Sequence, residues 1–188
     1  QELSEAGEKA FILARALQVE LAPNSTIGYR LEAQALRLQN QPEQAVKAIE
    51  SGLKIDTTDE WLLENHFFLK LNLKDLAGAS KAADDWVHFH PNSTKGLLVT
   101  AYLKVNDKRY AEALPNVQRV IQILAKRTDE PHYGEALNLA GQIHWAQNHK
   151  EQAEAHLKQA CGLGFQQACL HELVRGNASQ NETQLQKR

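Results

Sequence analysis

The two cysteines of the chain are the side chains best suited to covalent chemistry. Cys161 and Cys169 stand eight residues apart, with Gly162 and Gly164 between them. On one continuous helix this spacing would separate the two residues by about 12 Å, which is too far for a disulfide. The glycines favour a break in the helix, so the two thiols can face each other across a turn. Because the spacing is not that of a Cys-x-x-Cys motif, we expect no redox site; a disulfide and two buried thiols both stay open.

The eight histidines would suit a transition metal if other ligands joined them. His88 and His90 alternate near a predicted helix end, while His144, His149 and His156 spread over two predicted helices. No cysteine or carboxylate accompanies either group at a recurring ligand spacing. We therefore interpret these histidines as solvated helix-end residues, and we expect no metal site.

Motifs for nucleophilic or phosphate chemistry are absent from the sequence. It contains no Gly-x-Ser-x-Gly, no phosphate-binding glycine loop and no carboxylate pair in a predicted cleft. Asp84 and Asp85 are consecutive, which places them on different faces of a helix. We expect no catalytic residue and no cofactor, and we interpret the protein as non-enzymatic.

Composition restricts the class of partner. The 188 residues carry 21 Lys and Arg against 23 Asp and Glu, a formal net charge of -2, and 43% of the residues are apolar. This near balance argues against nucleic acid or an anionic membrane surface as the main partner. No apolar run is long enough to span a membrane. The absence of Met, even at position 1, is consistent with a removed signal sequence or lipid anchor, or with a fragment of a longer chain.

An internal repeat organises the chain. One series of positions recurs every 34 residues at the end of similar runs: Pro23, Thr57 and Pro91. A second series with the same period follows the polar turns: Ala45, Ala79 and Ala113. Ala153 comes 40 residues later, so one repeat carries an insertion of six residues. Two independent series with one period indicate a helical-repeat array.

The register predicts four helix pairs, over residues 26–59, 60–93, 94–133 and 134–167. Residues of N-cap type stand where the first helix of a pair should begin: Ser25 or Thr26, Asp59, and Ser93 or Thr94. Residues 3–21 predict one more helix before the pairs, and residues 166–175 predict a closing helix. We expect residues 1–175 to form a single all-α domain, and residues 176–188 to form a polar, disordered tail.

The repeat resembles the tetratricopeptide repeat family over roughly residues 10–173. The period, the Ala at the twentieth position of each unit and the Pro or Thr near the thirty-second are typical of that family. The last unit also carries the Leu-x-x-Ala-Gly pattern at residues 137–141 and the pair Ala153 and Ala160. Phe67 departs from the small residue expected at the eighth position. The resemblance implies a right-handed superhelical α-solenoid of about ten helices.

In this family the first helix of each pair lines a concave groove, and set positions of that helix face the ligand. Carried over to this sequence, the predicted partner-binding residues are Arg30, Gln34, Arg37, Trp61, Glu64, Phe68, Tyr102, Asn138, Gln142 and Trp145. Aromatic anchors together with Arg and amide groups suit a peptide. Packing between units is the alternative for each aromatic residue taken singly. The Lys and Asn residues by which some members hold heat-shock chaperones do not recur here.

The segment around the cysteines is similar to the Sel-like relatives of this family. The residues that match their consensus are Ala160, Gly164, Ala168 and Leu173. In the cysteine-rich bacterial members a pair with this spacing is bonded, so the resemblance implies a disulfide between Cys161 and Cys169. A disulfide of this kind persists in an oxidising compartment.

These features favour an adaptor that binds a peptide or a helix of another protein in its concave groove. The cysteine pair and the missing initiator favour the periplasm, and an assembly factor of a bacterial envelope, secretion, pilus or polysaccharide-export complex. Two alternatives stay open: a cytoplasmic co-chaperone or scaffold, and a docking module of a larger enzyme or outer-membrane protein. The expected partner is a protein or peptide and not nucleic acid; the oligomeric state is open.

Overall fold

The computed structural model describes residues 2–174, with side chains from residue 5 onward, so the expected tail of residues 176–188 lies outside the described part. Within this range the chain is all-α, as predicted. The helices are α1 (Glu2–Ala16), α2 (Ile27–Leu38), α3 (Pro42–Leu53), α4 (Glu60–Asn72), α5 (Leu76–Phe89), α6 (Thr94–Asn106), α7 (Tyr110–Leu124), α8 (Pro131–Ala146), α9 (Lys150–Gly162) and α10 (Gln166–Cys169). A π-helical turn, Leu17–Leu21, continues α1.

The chain divides into two compact units, Gln1–Pro91 and Asn92–Arg188, which we call unit 1 and unit 2. Unit 1 contains α1 to α5, and unit 2 contains α6 to α10. The boundary falls at the end of the second predicted pair, residues 60–93. Each unit therefore holds two complete helix pairs, with α1 added to unit 1 and α10 added to unit 2.

The turn that joins the two helices of a pair has the same backbone geometry in all four pairs. Its central residue has a positive φ: Asn40 (56°), Lys74 (60°), Lys108 (60°) and Asn148 (63°). These positions are 34, 34 and 40 residues apart, which is the spacing of the predicted repeat. In each turn the next amide donates to a carbonyl five residues earlier, as Gln41 does to Leu36 (2.9 Å). This Schellman turn satisfies carbonyls at the end of the first helix and sends the chain back along it.

Two of the predicted N-caps start first helices. The Asp59 carboxylate accepts a hydrogen bond from the Leu62 amide (3.1 Å) at the start of α4. The Ser93 hydroxyl accepts one from the Gly96 amide (3.4 Å) at the start of α6. Each bond satisfies an amide that has no partner within its own helix.

Small residues let the helices of unit 1 pack closely. Ala33, Ala45 and Ile49 are fully buried where α2 meets α3, and Leu62 of α4 joins the same core. Phe11 of α1 and Trp61 of α4 are partly buried and pack against this core. Alanines on facing helices allow a short separation while the larger side chains fill the remaining space.

The pair α8 and α9 in unit 2 depends on a close approach at Gly141. A Cβ atom at this position would lie 2.6 Å from Leu157 Cγ and 3.2 Å from the Ala153 carbonyl oxygen. Leu157 and Ala153 are themselves fully buried. The glycine of the Leu-x-x-Ala-Gly pattern is therefore required by the packing of these two helices.

Two element boundaries differ from the sequence predictions. Helix α8 begins at Pro131 and not at residue 134, because a proline at the first helical position loses no hydrogen bond. The closing helix expected over residues 166–175 is interrupted, since α10 covers Gln166–Cys169 and residues 172–174 are helical again after a break at Leu170 and His171. In the first turn of that later stretch the Leu173 amide donates to Nδ1 of His171 (3.3 Å), a side-chain acceptor for an amide that has no carbonyl partner within its own helix.

Candidate partner-binding faces

Unit 1 presents six of the ten predicted binding residues on two stripes. Arg30, Gln34 and Arg37 recur at steps of four and three along α2. The same steps place Trp61, Glu64 and Phe68 on one side of α4. Steps of three and four give one face of an α-helix. We call the surface that these six residues form the first-helix face of unit 1.

Two contacts bring these stripes together. Nη1 of Arg37 donates to Oδ1 of Asn65 at 2.7 Å. Nε of Arg30 donates to Oδ2 of Asp59 at 2.8 Å, and Nη2 lies 2.6 Å from the same oxygen. A guanidinium has five N–H groups, so Arg30 keeps donors that a ligand can use. The face is therefore held in one geometry and still offers hydrogen-bond donors.

The first-helix face also exposes apolar surface. Phe68 is 37% exposed and Leu71 is 39% exposed on α4, while Leu38 at the end of α2 is 55% exposed. A cleft of about 350 Å³ lies beside Gln34, Arg37 and Leu38. Apolar anchors next to Arg and amide donors are the combination found at peptide-binding surfaces.

Asn65 and Asp59 form hydrogen bonds with arginines of this face but were not among the predicted binding residues. Asn65 follows Trp61 by four residues, and its Nδ2 donates to the Trp61 carbonyl (2.8 Å). That spacing was a signal that Asn65 shares the stripe of α4. Asp59 was predicted only as a cap, because nothing in the sequence links it to Arg30 on another helix.

The remaining predicted residues lie in unit 2 and differ in exposure. Gln142 is exposed, and Tyr102 is half-buried. Burial and the hydrogen-bonded Glu135 carboxylate raise the pKa of Tyr102 above its usual range, so its hydroxyl stays protonated and donates to Glu135. Asn138 is only 3% exposed, and its Oδ1 has no hydrogen-bond partner among the described residues. Trp145 packs edge-on against His171, with ring centroids 5.3 Å apart.

Three histidines meet where α8 and α9 are joined, and the expectation that they are solvated is wrong for His144, which packing leaves only 7% exposed. The rings of His144 and His156 stack with centroids 5.4 Å apart, and His149 lies 5.8 Å from His144. Burial, followed by the charges of His156 and His149, lowers the pKa of His144. Burial likewise lowers the pKa of His156. Over residues 2–174, no three His, Cys, Asp or Glu side chains are grouped so that they could hold a metal ion.

A disulfide joins Cys161, near the end of α9, to Cys169 in α10. The two Cα atoms are 4.8 Å apart. Gly164 lies between them with a φ of 85°, a backbone conformation that favours glycine. This turn brings together cysteines that a continuous helix would hold apart, and the bond ties α10 to α9.

None of the helices formed by the described residues has the length and apolar character needed to cross a membrane.

Comparison with known families matches residues 100–163 to the tetratricopeptide repeat. No curated protein matches the sequence significantly. The matched segment runs from α6 to the end of α9, so it covers the second helix pair of unit 2 and part of the first.

Solved structures with the same fold extend the likeness to most of the chain. A crystal structure of MamA is 12% identical with a TM-score of 0.67, covering 86% of this chain and 91% of that one. MamA from Desulfovibrio magneticus RS-1 is 18% identical with a TM-score of 0.62, covering 85% and 92%. YrrB, described as a tetratricopeptide repeat protein with an unusual peptide-binding site, is 16% identical with a TM-score of 0.66, covering 93% and 84%. Residues 100–163 therefore carry the tetratricopeptide repeat signature, and the chain shares the fold of these solved repeat proteins.

Proposed function

We propose that this protein is a non-enzymatic adaptor that binds a peptide or helix of a partner protein on its first helices. The observation that carries the proposal is the first-helix face of unit 1, where Gln34 and Arg37 line a cleft with Leu38. Arg37 also binds Asn65 of α4, the helix that exposes Phe68. Helical-repeat proteins serve as interaction scaffolds, since stacked pairs present their first helices as an extended surface. In YrrB the same fold carries a peptide-binding site.

The chemistry of the face suits an extended or helical peptide with both polar and apolar side chains. Phe68, Leu71 and Leu38 offer apolar surface for an anchor residue. Arg30 and Arg37 donate to carbonyl or carboxylate oxygens, and Arg binds carboxylates through two parallel hydrogen bonds where geometry allows. Tyr102, Gln142 and Trp145 are the corresponding candidates in unit 2, together with the interior Asn138.

The experiment that tests this function compares two double variants in partner capture. Gln34→Ala with Phe68→Ala removes an amide and an aromatic ring from the first-helix face without touching the pair Arg30 and Asp59. Leu76→Ala with Lys81→Ala removes exposed side chains from α5 and serves as the matched control. A partner protein is first captured, by both the wild type and the control, from an extract of the cells in which the protein naturally occurs. Its affinity for each variant is then measured by calorimetry.

We expect the first-helix variant to weaken binding by about tenfold or more, because truncating an anchor residue costs over 1 kcal/mol. Equal binding by the two double variants, both folded by circular dichroism, would rule out this face as the site.

We also propose a periplasmic location and a role in assembling a bacterial envelope, secretion, pilus or polysaccharide-export complex. The disulfide between Cys161 and Cys169 supports an oxidising compartment, because such bonds persist there and are rare in the cytosol. Titration of thiols in the denatured, unreduced protein taken from its native cells tests the location. Two reactive thiols would favour the cytoplasmic co-chaperone or scaffold, and a longer native chain would favour a docking module of a larger protein.

A further inference from the structure

A second cleft in unit 1 lies between α1 and α3, with α2 as its floor. Its volume is about 560 Å³, and a continuation of about 320 Å³ shares Phe11 and Leu36 with it. Ile12 lines the continuation and is 69% exposed. Pockets that bind ligands span about 300–1,000 Å³, so the cleft has the size of a binding site.

The cleft lies on a different side of α2 from the first-helix face. The residues that α2 contributes are Tyr29, Glu32 and Leu36, which recur at steps of three and four. This stripe is distinct from the stripe of Arg30 and Gln34, because neighbouring positions on a helix point about 100° apart. A ligand in the cleft therefore leaves the first-helix face open.

The floor of the cleft is apolar and held in place by packing. Leu36 is 4% exposed, and Phe11 is half-buried against the core of unit 1. A Cβ atom at Gly28 would lie 2.8 Å from Gln18 Cγ and 3.0 Å from the Ala14 carbonyl oxygen, so α1 sits directly against α2 here. A site that is already formed loses little entropy when a ligand binds.

Two basic side chains give the rim of the cleft a positive charge. Arg15 lies 5.6 Å from the centre of the Phe11 ring, and Lys47 stands across the cleft on α3. Neither side chain forms an ion pair with the described residues. The lining carboxylate of Glu32 already accepts a hydrogen bond from Nε2 of Gln18 (2.6 Å). Glu32 keeps its negative charge, so two cations and one carboxylate line the main cleft, while Glu8 lines only its continuation. The excess of positive charge in the main cleft favours an anion.

We propose that this cleft is a second binding site, which takes a segment of a partner protein where an acidic residue stands beside a bulky apolar residue. The apolar side chain lies on Phe11 and Leu36, and the carboxylate lies between Arg15 and Lys47. Complementary charge supplies specificity and the apolar floor supplies affinity. The protein then holds two segments at once, one on each side of α2.

A random dodecapeptide display library, selected on the full chain, tests this site before any natural partner has been identified. We expect selected peptides to be enriched in Asp or Glu beside Phe, Leu, Ile or Trp. Arg15→Glu with Lys47→Glu should weaken binding of such a peptide by about tenfold or more, because each removes a charge-assisted contact and adds repulsion. Arg15→Gln with Lys47→Gln should have a smaller effect in the same direction.

Matched controls distinguish binding in this cleft from nonspecific electrostatic attraction and from binding on the first-helix face. Lys54→Glu with Lys81→Glu makes the same change of net charge at exposed positions outside the cleft. It should leave the affinity unchanged, as should Gln34→Ala with Phe68→Ala. Selection without acidic enrichment, equal loss in the control, or undiminished binding by the folded cleft variant would each overturn the proposal.

Discussion

Asp59 binds Arg30 and caps α4 with one carboxylate. Its Oδ1 accepts from the Leu62 amide at 3.1 Å, and its Oδ2 lies 2.6 Å from Nη2 of Arg30. The Asp59 side chain is fully buried, whereas that of Arg30 is 41% exposed. The start of α4 is thus tied to a residue of α2 that also lies on the first-helix face.

Replacing Asp59 by Ala should destabilise unit 1 strongly. The change removes a helix cap, worth about 1 kcal/mol, and a charged hydrogen bond, worth about 2 kcal/mol. We expect the free energy of unfolding to fall by about 3 kcal/mol. Urea unfolding followed by circular dichroism measures this loss.

The control for this prediction is Asp75→Ala. Asp75 caps α5 in the same way, through the Gly78 amide at 2.9 Å, but its side chain is 44% exposed and it pairs only with Lys70 at 3.4 Å among the described residues. The variant should lose clearly less stability than Asp59→Ala. Equal losses would mean that the contact with Arg30 adds nothing beyond the cap.

Replacing Lys108 by Gly should stabilise unit 2. Lys108 has a φ of 60°, where an L side chain is strained and glycine is not. Glycine also makes the unfolded chain more flexible, which offsets part of the gain. We expect a net increase of about 0.5–1 kcal/mol in the free energy of unfolding, measured by urea denaturation.

The same change at Lys81 should have the opposite sign. Lys81 lies within α5 and is exposed, so glycine there lowers helix stability by about 1 kcal/mol. Destabilisation by both substitutions would show that relief of strain at Lys108 is smaller than the entropic cost of glycine, and would contradict this prediction.

Opening the disulfide should loosen the end of unit 2. Closing the loop between Cys161 and Cys169 contributes about 2.5 kcal/mol in the chain-entropy model. Cys161→Ser with Cys169→Ser should lower the free energy of unfolding by about that amount, and hydrogen exchange should accelerate in α10. A reductant should lower the free energy of unfolding of the wild type and leave that of the double variant unchanged. An equal decrease in both proteins would contradict this account.

Acid should destabilise unit 2 through its histidine cluster. Burial holds the pKa of His144 and of His156 below the ordinary value of 6.5. Below pH 6.5 the unfolded chain binds protons that the folded protein does not. The contribution of these histidines to the free energy of unfolding is therefore most favourable above pH 6.5, and it decreases as the pH falls. The urea midpoint should therefore drop between about pH 8 and about pH 5.5.

Substitution identifies the residues responsible for this pH dependence. His144→Gln with His156→Gln should flatten the profile in part, because burial also lowers the pKa of His66 in unit 1. His88→Gln, at an exposed position of α5, should leave the profile unchanged. A double variant with the full wild-type slope would exclude the cluster as its source.

Local interactions made much of the fold predictable. The four positive-φ turns follow the spacing of the repeat, and Asp59 and Ser93 cap the helices that they precede in sequence. Caps, turns and amphipathic stripes depend on residues within about one helical turn of each other, so sequence alone determines them. The helix pairs and the all-α fold followed from these features.

Tertiary packing decided which side chains meet. Arg30 and Asp59 are 29 residues apart, and the cleft beside Phe11 needs α1 and α3 to pack on the same helix. The repeat places Asn138 at a position that is expected to face the groove, but neighbouring helices leave it only 3% exposed. Sequence periodicity places a residue on one face of its helix. The contacts, burial and charge of that face depend on the side chains that the other helices bring to it, and only the folded unit determines these.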